Sequence, residues 1–265
     1  MKKIGMSALA AVGLAMSACG RESLVFVSAH PDDTDGFAAT AMLLKDKYDI
    51  HVVDMTHGVY DLGEKGVFDD PRVPGRMKEE FAACSYAGFT PHFLSERDAD
   101  ACASDKSASQ LAEIIRKVKP RAVFTHWPVD RHADHVQCAA LVARALVRAG
   151  RAPAPGQKMP PDAAERYFFE EWLKQTRNFT PLYSVDVSEV MTNKVEMLRL
   201  YKGQNPGDML VKMTLERARL RGSQRTPQCK YAEVFTSYDG KPVPGGVLEK
   251  LKETVILNEA QSKKQ

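Results

Sequence analysis

The sequence predicts an α/β fold: a Rossmann-like, doubly wound, mostly parallel sheet with helices on both faces. Three observations predict it. Short apolar runs rich in β-branched residues alternate with longer helical patterns, the first and third of these runs end in clusters of His and Asp, and 265 residues suit one core of this class. Ser23–Ala29 (SLVFVSA) is almost continuously apolar, as a strand buried on both faces must be, and it stops at His30. Phe37–Lys47 reads as a helix and Ile50–Met55 as the second strand. Arg76–Ala87 and Ala108–Val118 are helical patterns, the latter with Ile114 and Ile115 on its apolar side and Pro120 as its stop. Ala122–Thr125 is the third strand, and Ala133–Ala149 a long helix closed by Gly150. Leu182–Val187 reads as a late strand and Met209–Arg221 as a helix. Lys212, Arg217, Arg219 and Arg221 on that helix, with Arg225 following, read as a solvated face.

Two stretches read as long loops. Gly58–Gly75 is rich in Gly, Asp and Pro and leaves the second strand, and Arg151–Pro161 holds four prolines in eleven residues. Residues 1–18 run from Lys2 and Lys3 through an uncharged apolar stretch to small residues, the layout of an export signal. Met16-Ser17-Ala18-Cys19 is similar to a bacterial lipobox, so the reading is an exported lipoprotein, held on a membrane through a lipid on Cys19 and facing the periplasm or cell exterior. Residues 19–22 form the tether, 23–257 a single domain and 258–265 a polar tail. The formal charge of +3 falls to about +1 without Lys2 and Lys3, leaving no electrostatic case for nucleic acid. Cys84, Cys102, Cys138 and Cys229 form no CxxC pattern, which argues against a structural zinc knuckle; buried thiols and oxidised pairs both remain open.

The chemistry gathers at two strand ends. Ala29-His30-Pro31-Asp32-Asp33 follows the first strand, and His126-x-x-x-Asp130-x-His132-x-Asp134-His135 begins where the third ends. In a doubly wound sheet both lie at the carboxyl edge, where such folds bind ligands. His30, Asp33 and His135 make a two-His, one-carboxylate set of the kind that holds catalytic zinc with an open position. Asp32, beside a ligand but turned away, is placed to take a proton from water, and His132 lies within reach of a substrate oxygen. Asp134 or Asp130 is expected to fix the His132 tautomer. His57 also follows a strand end and is placed at the cleft. Trp127 and Tyr60 offer rings for stacking on a sugar face.

Together, AHPDD and HxxxDxHxDH resemble the PIG-L de-N-acetylase family. Arg76-Met-Lys-Glu79 with Ala83 and Ala87-Gly88 is similar to its R-x-x-E helix, and Tyr231-Ala-Glu233-Val-Phe235 to its late A-E-x-F segment, so the likeness runs from about Ser23 to Phe235. The resemblance implies a Rossmann-like hydrolase with one zinc on His30, Asp33 and His135. It also implies Asp32 as general base, His132 as the oxyanion partner and Arg76 beside the substrate; Asp134 joins the catalytic set from the residue reading above. With His57, Trp127 and Asp130, Arg76 completes the expected substrate-binding set. The implied reaction removes acetyl from an N-acetylglucosamine-type sugar or glycan. Thr34, where the family commonly has Glu, and the long Gly58–Gly75 loop are departures. Two other readings share the ligand set: a non-heme iron oxygenase, and a lipid-anchored glycan- or metal-binding protein without turnover.

Overall fold

The computed structural model describes residues 20–60, 70–152 and 163–257. One eight-stranded sheet runs through it in the order β3-β2-β1-β4-β5-β7-β6-β8. These strands are β1 (Ser23–Ser28), β2 (Asp49–Asp54), β3 (Thr90–Phe93), β4 (Ala122–His126), β5 (Glu165–Phe169), β6 (Tyr183–Asp186), β7 (Ala232–Ser237) and β8 (Thr254–Ile256). β1 to β5 pair in parallel, whereas β7 runs antiparallel to β5, and β6 to β7 and β8. β1, β2, β4 and the late strand β6 are as the sequence predicts, whereas β3 and β5 of the parallel half and β7 and β8 of the antiparallel extension are what the strand patterns left out.

Alternation along β1 shows how the layers form. Leu24 and Phe26 face a core shared with α1 (Ala38–Leu44), α2 (Val73–Ala87), α5 (Met191–Leu198) and α6 (Met209–Gln224). Val25 and Val27 face the other core, under α3 (Asp105–Val118) and α4 (Ala133–Arg148). Both faces are covered, so the strand is apolar throughout. Because β1 is flanked by β2 on one side and β4 on the other, the winding reverses between β1 and β4. The crevice outside their carboxyl ends is therefore where His30 and His126 emerge.

α6 corrects the solvated-face reading. Lys212 and Arg219 are exposed, but Arg217, Arg221 and Arg225 are buried. Arg217 lies 3.2 Å from Asp35, Arg221 pairs with Glu170, and Arg225 lies 3.8 Å from Asp186. Buried guanidinium groups need such partners. Charge composition alone cannot tell a solvated helix face from one whose acids arrive from elsewhere in the chain. Glu233, in the late A-E-x-F segment, accepts from the backbone N–H groups of Ala39 and Thr40 at 3.1 and 2.7 Å, and so caps α1 from across the fold. Cys84, Cys102, Cys138 and Cys229 are free thiols.

Among the described residues, no helix is long and apolar enough to cross a membrane. The expected leader, Cys19 and the polar tail lie outside the described residues, as do 61–69 of the first expected loop and 153–161 of the second; the first loop is also shorter than expected, since α2 already begins at Val73.

Candidate metal and catalytic centre

His30 is the N-cap of a 3-10 turn, Pro31–Gly36, that follows β1. Its backbone N–H donates to Asp33 Oδ2 at 2.7 Å, and the same oxygen lies 3.2 Å from His30 Nδ1, so the turn locks the two residues together. His132 is the N-cap of α4, and His135 lies in that helix's first turn. His126, the last residue of β4, accepts from the Ala29 N–H at 3.0 Å and stacks on His135 with centroids 4.1 Å apart. Asp33 consequently faces three imidazoles, with its oxygens 3.2 Å from His30 and His126 and 3.4 Å from His135.

His30, Asp33 and His135 are all buried and offer ligand atoms within 4.8 Å of one another. Two neutral-capable imidazoles and one carboxylate suit a divalent ion such as zinc, so the residues fit the metal that the sequence implies. His30, His132 and Asp134 converge equally closely. In that set, however, both Asp134 oxygens already accept backbone N–H groups, Ala99 at 2.7 Å and Ala101 at 3.3 Å. Electrostatics favour a cation at the first set. Burial alone would lower His135, but Asp33 and the Asp130 carboxylate 3.2 Å from its Nδ1 raise it to about 9. Burial would raise Asp33, but His135, His30 and His126 hold it well below the usual carboxylate range.

Asp32 stands apart from this set. Burial, then the charge of Asp33, raises its carboxyl to about 6, against the opposing pull of His30 and Arg76. Arg76 is buried, with Nη2 at 3.5 Å from Asp32 Oδ1, Nη1 at 2.6 Å from Glu79 and Nε donating to the Gly58 carbonyl at 3.2 Å. Burial, then the charges of His30 and His135, lowers His132. Its Nδ1 accepts from the Asp134 N–H at 3.3 Å, which leaves the ring proton on Nε2.

The expected division of labour between Asp134 and Asp130 is corrected here. The Asp134 carboxylate does not reach His132: Oδ2 lies 3.1 Å from His30 Nε2, and only the Asp134 backbone fixes the His132 tautomer. Nor is Asp130 turned to a substrate. One of its oxygens accepts from the His132 N–H at 2.8 Å and lies 3.2 Å from His135 Nδ1, and the other accepts from Thr176 at 3.1 Å.

A cavity of about 180 Å³ opens on this centre, lined by His30, Asp32, Asp33, Asp98, His132, His135 and a second group, Glu171, Trp172, Gln175 and Gln204. All four members of the expected substrate-binding set, Arg76, His57, Trp127 and Asp130, are absent from that lining. Arg76 supports Asp32 instead. His57 is buried with its ring stacked on Phe93, centroids 5.0 Å apart, and burial pushes it down to about 4. Trp127 packs edge-on against Phe168 and Phe179, and its indole N–H donates to the Arg177 carbonyl at 2.9 Å. Tyr60 is 71% exposed. Sequence reasoning missed the second group, although a signal existed: the aromatic run Tyr167–Phe169 ends in Glu170-Glu171-Trp172, a third strand end carrying polar residues. Asp98 carries no comparable signal.

The GlcNAc-PI de-N-acetylase (PIG-L) family model matches residues 25–146. A 4-oxalmesaconate hydratase from Pseudomonas putida is 26% identical over 193 residues, covering 69% of this chain and 74% of that protein. Among solved structures, the conserved protein TT1542 from Thermus thermophilus superposes with TM-score 0.67 and 26% identity, covering 84% of this chain and 98% of its own. The 4-carboxy-2-hydroxymuconate hydratase from Pseudomonas putida gives TM-score 0.68 and 25% identity over the same shares. At 22% identity, an N,N'-diacetylchitobiose deacetylase from Pyrococcus horikoshii shares the fold, with TM-score 0.68 over 83% of this chain and 84% of its own.

Proposed function

Proceeding from the premise that residues 25–146 belong to the PIG-L family, we propose that the protein is a zinc-dependent hydrolase that removes the acetyl group from an N-acetylated sugar, releasing acetate and a free amine. One observation carries the reading. Around the two-His, one-Asp set, the described cavity wall adds three carboxyl groups, Asp32, Asp98 and Glu171, and neither Lys nor Arg. Such a wall suits a neutral amide bearing hydroxyl groups and, beyond the metal set, offers no side-chain cation to pair with a second carboxylate.

Zinc on His30, Asp33 and His135 would supply a Lewis acid for the amide carbonyl and lower the pKa of a water. Asp32, raised towards neutrality yet still basic at pH 7, takes a proton from the attacking water. Neutral His132 directs its Nε2–H into the cavity, where it stabilises the oxygen on which negative charge develops. Asp32 then returns its proton to the leaving nitrogen as the C–N bond breaks.

The similarity to two hydratases supports a second reading, addition of water to an unsaturated acid. The names of those relatives denote carboxylate substrates, and the lack of Lys and Arg among the described lining residues argues against such a substrate here. Purified protein supplied with zinc should release acetate from N-acetylglucosamine or its oligomers and lose that activity to a chelator. Turnover of an unsaturated dicarboxylate, with no acetate from any N-acetyl sugar, would sink the hydrolase reading. The lipid anchor at Cys19 is part of the same proposal, since an enzyme held outside the cytoplasm meets extracellular glycans.

A further inference from the structure

We propose that Trp172, flanked by Gln175 and Gln204, is the platform on which one N-acetylhexosamine ring rests while its acetamide points to His30, Asp33 and His135. The inference rests on the de-N-acetylase reading and names the residue that selects its substrate. Trp172 is half-buried, with part of its ring packed against the core under α1, α2, α5 and α6 and part on the cavity wall. It is the one apolar side chain among the described lining residues. An apolar ring facing polar groups across a small cavity matches a pyranose, which has an apolar face and a hydroxylated rim.

Polar partners surround that face. The Gln175 side-chain amide makes no hydrogen bond among the described residues, and Gln204 holds only a long 3.4 Å contact to the Gly58 carbonyl. Glu171 also lines the cavity, with its carboxyl turned to Arg217, 4.0 Å away.

The platform is held in register with the metal ligands. The Trp172 carbonyl accepts from the Gln175 and Thr176 N–H groups at 2.8 and 3.1 Å, closing a turn. That turn is laced to the loop before α4: Arg131 N–H donates to the Gln175 carbonyl at 3.1 Å, Arg177 N–H to the Val129 carbonyl at 2.9 Å, and the Thr176 hydroxyl to Asp130 at 3.1 Å. Asp130 in turn lies 3.2 Å from His135. A ring on Trp172 is thus positioned by the same backbone ladder that orients a metal ligand, as preorganised sites require.

The chain has two tryptophans, Trp127 and Trp172, which allows a direct test. In zinc-loaded Trp127→Phe, where Trp172 is the sole indole, adding N-acetylglucosamine should change the emission saturably. In Trp172→Phe, where Trp127 remains, it should not. A saturable change that follows Trp127, or none in either protein, overturns the platform. Kinetically, Trp172→Ala should raise KM for N-acetylglucosamine at least tenfold with kcat changed less than threefold, because stacking holds ground and transition states alike. An acyclic N-acetyl amine should lose little. Equal losses for sugar and acyclic amide would overturn the platform while leaving the hydrolase intact, whereas absence of acetate from every amide in the wild type would instead remove the hydrolase reading.

Discussion

Asp130 Oδ1 lies 3.2 Å from His135 Nδ1, and this pairing turns the opposite ring nitrogen, Nε2, towards Asp33. A carboxylate behind a metal-binding imidazole fixes its tautomer and strengthens it as a donor. Asp130→Ala should therefore weaken zinc binding by about 10- to 100-fold, read by competition with a chelating dye, while the apo fold remains. Unchanged zinc affinity would mean that His135 is oriented by other contacts.

Arg217 is buried between Asp35, 3.2 Å away, and Glu171, at 4.0 Å. Removing the cation leaves buried acids uncompensated, so Arg217→Met should destabilise the fold by about 3–5 kcal/mol in urea unfolding. A loss within experimental error would show that the pair roughly balances its own desolvation. The arrangement also explains Asp35, which stands just before α1 and whose Oδ2 is held from α6, by Thr214 at 2.9 Å and by Arg217.

What was legible in the sequence follows from what is local. The His30–Asp33 turn and the His132–His135 helix start each lie within a few residues of an apolar strand. Both chemistry and placement could therefore be read from spacing, and the fold brings His30, Asp33 and His135 together as expected. Partners from distant segments could not be read. Asp130 and Asp134 both leave their expected roles, the first facing His135 and the second His30, because hydrogen-bond direction, not spacing, decides which imidazole each serves. Trp127 and Trp172 both follow strand ends, and only packing against Phe168 and Phe179 turns the first away from the cavity. Thr34 is a similar case: its hydroxyl donates to Tyr201 at 3.1 Å, and Tyr201 donates to buried Glu80 at 2.6 Å, a link spanning α2 and the chain after α5.

Lipid attachment at Cys19 has a simple readout. Cells fed a tagged fatty acid should label the wild-type protein and not Cys19→Ser. Unlabelled wild type, released freely into the medium, would remove the anchor while leaving the catalytic proposal untouched.

The last expectation concerns pH and joins Asp32 to Arg76. A general base works only when deprotonated. With Asp32 raised to about 6 by burial and by Asp33, kcat/KM should fall roughly tenfold per pH unit on the acid side of that value. A metal on Asp33 and the histidines favours the carboxylate, so the limb in the loaded enzyme lies at or below about 6. Arg76, 3.5 Å from Asp32, also pulls it downward. Arg76→Met should therefore move the acid limb up by about one unit, towards neutral pH, even where the plateau rate also drops. Asp32→Asn should retain zinc, lose turnover by several orders of magnitude and lose the limb altogether. If Arg76→Met lowers the plateau but leaves the limb in place, Arg76 acts by holding Glu79 and Gly58, not by tuning the base. If Asp32→Asn keeps both rate and limb, the base is another group.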